Sequence, residues 1–371
     1  MSTLFGIEGK LGFGCMRLPM QGDAVDTAEF CRMVDIFLEN GFNYFDTARG
    51  YLGGKSETAL RDCLTSRYPR ERYVLTNKLS HNFFKTTADI RPYFESQLAA
   101  CGVEYFDIYL MHAQNRNLFA RYRRERAYET ALELKAEGKI KHFGISFHDK
   151  AEVLRTILTE YPQIEVVQLQ FNYLDYEDPS VEGRKCYEVC REFGKPVFVM
   201  EPVKGGRLAN KLPPEGEEIF RALGSGSNAS FAIRFAAGFE GVVSVLSGMG
   251  TPEMVQDNVS YMKDFQPLDA REMEAVARVT ELLRAQDLIP CTDCRYCMEV
   301  CPQGIAVPEI ISALNSRRVC DSWSAKHYYD IFTGAAPKAS ACIACGKCEK
   351  ACPQHLPIRA LMQDAAAAFE K

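Results

Sequence analysis

Eight cysteines near the end of this 371-residue chain constrain its fold more than any other feature. They form two runs with the same spacing, C-x2-C-x2-C-x3-C-P, at residues 291–302 and 342–353. Three thiolates at this spacing wrap a tight loop around one face of an iron–sulfur cubane, while the fourth, placed before a proline, reaches the other cluster. The spacing therefore predicts two [4Fe-4S] clusters with crossed ligation.

The predicted ligands divide into two sets of four. The first set is Cys291, Cys294, Cys297 and Cys352, and the second set is Cys342, Cys345, Cys348 and Cys301. Zinc and disulfide bonds are the alternatives. Zinc sites usually present separated C-x2-C pairs, and disulfides are disfavoured in a reducing cytosol, so the spacing favours iron–sulfur chemistry. Helices are predicted between the two runs, around residues 307–316 and 322–332.

Charge and composition narrow the class of protein further. The formal net charge is −5, and 47% of the residues are hydrophobic. An acidic balance argues against a generic nucleic-acid binder. No stretch approaches the roughly 18–20 consecutive apolar residues of a membrane span. We therefore expect a cytoplasmic protein that binds neither nucleic acid nor a membrane.

Residues 1–286 alternate short apolar runs with amphipathic stretches, the pattern of βα units around a parallel sheet. Eight strands are predicted, at residues 11–16, 42–45, 73–76, 106–111, 142–145, 166–169, 197–200 and 242–246. Eight such units predict an α/β fold, a (β/α)8 TIM barrel with its chemistry at the carboxyl ends of the strands. A predicted helix at residues 270–285 leads out of this domain, and residues 287–371 form a second, α-helical domain that holds the clusters.

Four polar side chains follow three successive predicted strands. Asp46 and Tyr51 come after the second strand, Lys78 after the third, and His112 ends the fourth. Each residue alone has an ordinary explanation, as a helix cap, a packed aromatic ring, a surface charge or a hydrogen-bonded strand-end histidine. Because the carboxyl ends of barrel strands share one rim, the four together predict a catalytic site.

At these residues the chain resembles the aldo/keto reductase family, whose catalytic tetrad of Asp, Tyr, Lys and His has this spacing. The match extends to residues 43–48, 54–57, 138–140, 144–146 and 251–258. The C-terminal part is similar to bacterial two-cluster ferredoxins, and the fusion resembles the iron–sulfur-containing branch of the family. The resemblance implies a (β/α)8 barrel joined to a ferredoxin-like domain.

The chemistry of carbonyl reduction agrees with the resemblance. Reduction requires a hydride at carbon and a proton at oxygen, and a tyrosine with an ordinary pKa of about 10 needs help to exchange that proton near neutral pH. Lys78 is expected to lower the pKa of Tyr51 by its positive charge. Asp46 is expected to hold that lysine, and His112 to direct the carbonyl oxygen.

The resemblance also implies nucleotide-binding residues. Ser146 and Gln168 would hydrogen-bond the nicotinamide carboxamide, although they could instead satisfy backbone groups at the barrel mouth. The segment from Gly248 to Asn258 would cover the adenosine. Where many relatives carry a lysine and an arginine that grip a 2′-phosphate, this chain has Gly248 and Met254. NADP and NAD therefore both remain open, and a flavin at the barrel rim has no motif to support it.

A strongly basic stretch follows His112. It holds five arginines and one acid, Glu125, between residues 116 and 126. One interpretation is a solvated helix face. The other is a loop over the pocket mouth that receives an anionic substrate or an acidic electron-carrier protein, because the arginine fork suits carboxylates and phosphates.

These observations support two functions from different classes. The first is an oxidoreductase that interconverts a carbonyl and an alcohol by nicotinamide hydride transfer, with two [4Fe-4S] clusters for electron transfer. The second is an electron-carrying or redox-sensing interaction protein whose barrel no longer turns over. In either case the clusters could transfer electrons or could only stabilise a small C-terminal domain.

Overall fold

The computed structural model describes residues 3–178, 181–224, 226–286, 288–319, 323–334 and 336–370. Within these ranges no helix is both long enough and apolar enough to span a membrane. The chain forms two compact units. The first comprises Met1–Val203 and Gly224–Glu274, and the second comprises Lys204–Leu223 and Ala275–Lys371.

The described chain forms ten strands. They are β1 (Leu11–Gly14), β2 (Met20–Gln21), β3 (Ala24–Val25), β4 (Tyr44–Asp46), β5 (Val74–Leu79), β6 (Phe106–Gln114), β7 (Ile140–Phe147), β8 (Val166–Gln170), β9 (Val197–Met200) and β10 (Val242–Ser247). Eight of them close into a parallel barrel in the order β1-β10-β9-β8-β7-β6-β5-β4, with β4 returning to β1. The predicted barrel is confirmed, and its eight strands fall on the eight predicted segments.

Twelve α-helices lie within residues 27–285 of the described chain. They are α1 (Thr27–Glu39), α2 (Lys55–Leu60), α3 (Thr87–Cys101), α4 (Arg116–Arg124), α5 (Ala127–Ala136), α6 (Ala151–Glu160), α7 (Gly183–Glu192), α8 (Arg207–Asn210), α9 (Pro214–Arg221), α10 (Asn228–Ala237), α11 (Pro252–Met262) and α12 (Ala270–Ala285). Of these, α8 and α9 lie in the second unit, and α12 runs from the first into the second. The predicted helix at 270–285 coincides with α12.

Local sequence explains where these helices start and stop. The Asp26 side chain accepts the Glu29 backbone N–H at 3.0 Å and so caps the start of α1. Thr86 and Asp89 form a capping box at the start of α3. That helix ends at Gly102, whose φ of 66° is the left-handed value typical of a helix C-terminus.

The structure differs from the predicted strands mainly at their ends. β5 runs to Leu79 and β6 to Gln114, so Lys78 lies within its strand instead of after it, and His112 lies two residues before the end of its strand. Both side chains are polar, which is why the apolar pattern stops before them. They are nevertheless buried, because partners inside the barrel mouth satisfy them. The short antiparallel hairpin of β2 and β3 was not predicted.

Apolar side chains from strands all around the ring form the core inside the barrel. Tyr44, Ile108, Val166, Phe198 and Leu246 belong to one buried cluster. Since they come from five different strands, they fill the barrel interior in the manner of layered inward-facing residues.

The second unit has a core of its own. Its further helices are α13 (Tyr296–Glu299), α14 (Val307–Val319), α15 (Trp323–Gly334), α16 (Lys347–Ala351) and α17 (Ile358–Phe369). The predicted helix at 307–316 lies within α14, and the one at 322–332 corresponds to α15, with Ser322 outside the described residues. Tyr329 of α15 stacks on Phe369 of α17 with ring centroids 4.7 Å apart.

The segment Lys204–Leu223 belongs with this second unit although it precedes the cysteines by many residues. The Lys204 ammonium donates to Gln354 Oε1 at 3.1 Å, and the carbonyl oxygen of Thr292 lies close against Gly205. The compact units therefore do not coincide with a single cut at 286/287, and residue 287 lies outside the described residues. The division into domains at 1–286 and 287–371 stays a prediction.

Candidate active site

Lys78 is the centre of the site, and its side chain is fully buried in β5. Its Nζ atom donates to Asp46 Oδ1 at 2.5 Å, to the carbonyl oxygen of Thr47 at 2.9 Å and to Tyr51 Oη at 3.3 Å. A lysine ammonium has three hydrogens to donate, so these three acceptors satisfy it. The structure thus brings Asp46, Tyr51 and Lys78 into direct contact.

The register of the barrel strands and a tight turn explain why Asp46, Tyr51 and Lys78 are in contact. Asp46 is the last residue of β4 and pairs with Thr76 of β5. Lys78 lies two residues beyond Thr76 and therefore points to the same side of the strand. Tyr51 begins a 3-10 turn, Tyr51–Gly54, in which Gly53 and Gly54 have φ angles of 63° and 89°. Glycine suits such left-handed backbone, which lets the chain reverse directly after the tyrosine.

Burial and charge act in opposite directions on Lys78. Burial lowers the pKa of the ammonium, because a charged group loses its hydration in the barrel. The Asp46 carboxylate opposes this shift by its charge and its hydrogen bond. The lysine and the aspartate are therefore best described as one buried ion pair with the tyrosine hydroxyl at its edge.

His112 lies on β6 beside this group. Its Nδ1 atom is 2.6 Å from Ser80 Oγ, and its ring meets the Tyr51 ring edge-on with centroids 6.2 Å apart. Burial holds the pKa of His112 well below its ordinary value, and the charge of Lys78 adds to the effect. The imidazole is thus neutral at physiological pH. When Nδ1 accepts a hydrogen bond from the Ser80 hydroxyl, the proton of the neutral imidazole is on Nε2. Nε2 can then donate a hydrogen bond.

Two predicted nucleotide ligands make hydrogen bonds within the chain. Ser146 Oγ accepts the Ala113 backbone N–H at 2.8 Å, and Gln168 Nε2 donates to Asp46 Oδ2 at 3.0 Å. The Ser146 contact agrees with the alternative that these residues satisfy backbone groups at the barrel mouth, whereas Gln168 bonds to a side chain. Their role toward a nucleotide stays a prediction.

The other two predicted nucleotide residues lie near β10 and on α11. Asn258 is 4% exposed, and its Oδ1 atom is buried without a hydrogen-bond partner in the described structure. Next to Gly248 lies the Arg17 guanidinium, 3.7 Å from the point where a side chain at that glycine would begin. Sequence reasoning missed Arg17, although its place just after β1 puts it on the same rim as the other strand ends.

A buried polar network that the sequence analysis did not predict packs behind the site. Glu57 forms an ion pair with Arg49 and accepts from Asn77 Nδ2 at 2.9 Å and from Gln97 Nε2 at 3.2 Å. Burial raises the pKa of Glu57, and the hydrogen bonds and the arginine oppose that shift. The network ties α2 and α3 to β5, one residue before Lys78, and so fixes the strand that carries the lysine.

The basic stretch after His112 forms α4. Arg116 pairs with Glu152, Arg123 with Glu160 and Arg124 with Glu125, while Arg121 donates to the carbonyl oxygen of Phe84. Because most of these guanidinium groups already meet carboxylates, the solvated helix face explains the stretch better than a ligand site does.

Thiols from both cysteine runs meet in the second unit. Burial raises the pKa of Cys297, and so do the charges of Cys294, Cys291, Cys352 and Cys348, so two cysteines of the second run lie near this thiol. Cys348 has Cys342 of its own run nearby. Among the described residues, no three His, Cys, Asp or Glu side chains are arranged to hold a single metal ion.

Comparison with known families matches residues 10–281 to the Aldo/keto reductase family and residues 290–356 to a 4Fe-4S dicluster domain. The first match covers most of the chain. The chain therefore belongs to the aldo/keto reductase family. It is an oxidoreductase that carries a 4Fe-4S dicluster domain after its barrel.

Two curated relatives and two solved structures illustrate the similarity. An NADH-specific methylglyoxal reductase from Escherichia coli is 26% identical over 295 residues, which cover 67% of this chain and 88% of the relative. L-galactose dehydrogenase from Arabidopsis thaliana is 24% identical over 261 residues, covering 66% of this chain and 80% of the relative.

Among the solved structures, an aldo-keto reductase from Klebsiella pneumoniae in complex with NADPH has a TM-score of 0.61 at 20% identity, covering 73% of this chain and 90% of that one. The holo form of an aldo-keto reductase from Bacillus halodurans has a TM-score of 0.57 at 25% identity, covering 73% and 91%. The first of these likenesses shows the fold alone.

Proposed function

We propose that this oxidoreductase interconverts a small carbonyl compound and its alcohol by hydride transfer from or to a nicotinamide nucleotide. The catalytic residues are Asp46, Tyr51, Lys78 and His112. One observation carries the proposal: a fully buried lysine ammonium lies between a carboxylate, 2.5 Å away, and a tyrosine hydroxyl, 3.3 Å away. A barrel used only as a scaffold has no need of an ion pair aimed at a phenol, since buried charges are costly unless they serve a purpose.

Each residue has a separate task. A nicotinamide nucleotide, held by Ser146, Gln168, Gly248 and Asn258, would supply or accept the hydride. In the reductive direction Tyr51 donates its hydroxyl proton to the carbonyl oxygen, and the Lys78 ammonium stabilises the phenolate that remains. Asp46 keeps the ammonium charged and oriented. His112, neutral and held by Ser80, donates from Nε2 to the carbonyl oxygen and positions it beside the tyrosine.

The residues at the barrel mouth fit a nicotinamide nucleotide. The buried Asn258 Oδ1 lacks a donor, and an adenine amino group could supply one. Ser146 and Gln168 present the polar groups that a carboxamide needs, with Gln168 exchanging its bond to Asp46 for one to the ligand. Gly248 leaves room beside Arg17, which provides a positive charge for phosphate. The similar proteins include an NADH-specific reductase and a reductase in complex with NADPH, so the experiments use both nucleotides.

We assign the ligands of the two [4Fe-4S] clusters to the eight cysteines in the crossed arrangement. The spacing supports the crossing, because the fourth cysteine of each run, Cys301 or Cys352, stands apart from the C-x2-C-x2-C loop and precedes a proline. Cys352→Ala should therefore remove the cluster of Cys291, Cys294 and Cys297 and leave the other. Iron content and electron paramagnetic resonance after anaerobic reconstitution measure this. Loss of the cluster at Cys342, Cys345 and Cys348 alone would contradict the assignment.

The test of the catalytic proposal is Tyr51→Phe, which removes only the phenolic oxygen. With methylglyoxal and other small aldehydes, and with NADH and NADPH in parallel, the variant should lose roughly 10²–10⁴-fold in turnover while it binds nucleotide as the wild type does. Tyr122→Phe is the matched control, since it removes another buried hydroxyl, one that donates to the carbonyl oxygen of Leu79 at 2.6 Å. Equal activities of the two variants would refute the proposal.

An electron-carrying or redox-sensing protein with an idle barrel is the second candidate. The hydrogen bond from Gln168 to Asp46 favours this candidate, because the Gln168 amide is then already bonded within the chain and not to a nicotinamide. Calorimetry of NADH and NADPH binding to the cluster-loaded protein separates the two functions. The enzyme must bind at least one nucleotide, whereas the idle barrel binds neither.

A further inference from the structure

The two cysteine runs differ in how far they reach solvent. In the first run Cys297 is buried, and Cys291 and Cys294 are partly buried. In the second run Cys345 is exposed, and its neighbour Ile343 is 59% exposed, more than any other large hydrophobic residue in the described chain. An exposed cluster ligand beside an exposed apolar side chain marks the place where an external redox centre could approach most closely.

Charge also differs between the runs. In the second run Lys347 and Lys350 are exposed and lie three residues apart on α16, so they share one side of that helix. The acid between them, Glu349, is already paired with Arg359 at 2.8 Å. The surface of Ile343, Ala344, Cys345, Lys347 and Lys350, here called the second-run face, is therefore apolar and basic.

The first run lacks this character. Its arginine, Arg295, pairs with Asp293 at 3.2 Å and with Glu309 at 2.7 Å. The basic face is a local exception, because the chain as a whole has a net charge of −5. A local charge of opposite sign to the whole molecule selects and orients a partner by electrostatic complementarity.

We propose that the second-run face is the docking site of an acidic one-electron carrier protein of the ferredoxin type, and that electrons enter or leave through the cluster held by Cys345. Each encounter moves one electron: the carrier is oxidised by one electron and the cluster reduced by one, or the reverse. The proposal rests on the cluster assignment above, and it expects a small, weak and salt-sensitive interface, as electron-transfer complexes have.

Binding tests this without any carbonyl turnover. The full-length, cluster-loaded protein is titrated by calorimetry with an acidic bacterial two-cluster ferredoxin at ionic strengths of about 0.01 M and about 1 M, where the Debye length is about 30 Å and about 3 Å. Basic cytochrome c is the negative control. Binding of the ferredoxin should be strong only at low ionic strength, and cytochrome c should not compete with the ferredoxin for its site.

Charge reversal locates the surface. The double variant Lys347→Glu, Lys350→Glu should weaken ferredoxin binding about tenfold or more at low ionic strength. The matched control, Lys211→Glu with Arg278→Glu, makes the same change of net charge at exposed residues elsewhere in the second unit and should bind as the wild type does. Iron content verifies that both variants keep their clusters.

Ile343→Ala provides a second variant that changes no charge. It should weaken binding several-fold at low ionic strength, where the complex forms, because it removes apolar contact area. Unchanged binding of the lysine variant, or equal weakening by the control pair, would overturn the docking site. Failure of nucleotide-dependent turnover with docking intact would instead count against the proposed catalytic function alone.

Discussion

The barrel site and the cysteine segment are built in opposite ways. Asp46 and Lys78 lie 32 residues apart on different strands, and both are almost completely buried before any ligand arrives. The cysteines come in two short runs, and most of them keep contact with solvent. The barrel site is therefore preorganised by tertiary register, whereas the cysteine segment relies on local spacing and on the clusters that it holds.

The difference suits the two kinds of chemistry. Hydride and proton transfer need groups fixed within tenths of an ångström and shielded from water. One-electron exchange with a partner needs a centre close to the surface. Each of the following variants changes either the barrel or the second unit and should leave the other one unchanged.

The largest effect is expected at the buried ion pair. Lys78→Met leaves the Asp46 carboxylate buried without its counter-charge, which should lower the free energy of unfolding of the barrel by about 3–5 kcal/mol. The double variant Asp46→Asn, Lys78→Met should lose clearly less than the sum of the two single variants, since it leaves no unpaired charge. Urea unfolding followed by tyrosine fluorescence measures this. Additive losses would show that the two side chains do not form a pair.

A smaller effect is expected at the turn that packs against the first cysteine run. A Cβ atom at Gly205, where φ is 63°, would lie 2.4 Å from the carbonyl oxygen of Thr292. Gly205→Ala should therefore suffer the left-handed cost of about 1–2 kcal/mol and an overpacking cost of about 1–3 kcal/mol.

Gly206→Ala is the matched control for this turn. Its φ of 89° carries a similar backbone cost, but a Cβ atom there meets no atom closer than 4.0 Å. Unfolding and iron retention of the second unit should separate the two variants, with the control clearly less affected. Equal losses would mean that the contact with Thr292 does not matter.

The smallest effect is a pH dependence confined to the barrel. Burial and the charge of Arg121 lower the pKa of His81 to about 4, and burial holds the pKa of His112 well below its usual range. The unfolded chain, with histidine pKa values of about 6.5, then binds more protons than the folded chain between pH about 6.5 and about 4. The free energy of unfolding should fall as the pH drops through this window.

His81→Gln removes one of these titrations. The slope in the window should decrease by at most about 1.4 kcal/mol per pH unit, which is the limit for one proton. Denaturant unfolding at several pH values measures the change. A slope identical to that of the wild type would show that His81 is not held neutral by the fold.

The barrel and the iron–sulfur segment could be predicted from the sequence alone because each leaves a pattern that repeats over a few residues. The eight strands are apolar runs of the expected length, and the ligands of each cluster loop recur at fixed intervals. The sequence could not place the ends of β5 and β6. Lys78 and His112 are polar residues that become buried only through Asp46, Tyr51 and Ser80, and such pairing across strands leaves no local signal.

The same reason explains the other differences. Lys204 and Gln354 form a hydrogen bond although they are 150 residues apart. No local sequence pattern therefore predicts that Lys204–Leu223 belongs to the second unit. The Arg17 guanidinium lies beside Gly248 in a similar way, although the two residues are at opposite ends of the barrel sequence. Gln168 bonds to Asp46 across 122 residues, which no local pattern could predict, and its role toward a nucleotide stays a prediction.

The central claim is that the barrel transfers hydride between a nicotinamide and a carbonyl carbon while Tyr51 supplies the proton. The most direct measurement uses NADH and NADPH deuterated at C4 of the nicotinamide, a panel of small aldehydes that includes methylglyoxal, and mass spectrometry of the alcohols formed. We predict one deuterium on the carbinol carbon with the wild type and a loss of this product with Tyr51→Phe. Two results would contradict the account. One is an alcohol that lacks deuterium whichever of the two C4 hydrogens of the nicotinamide is replaced, and the other is an alcohol formed equally well by Tyr51→Phe.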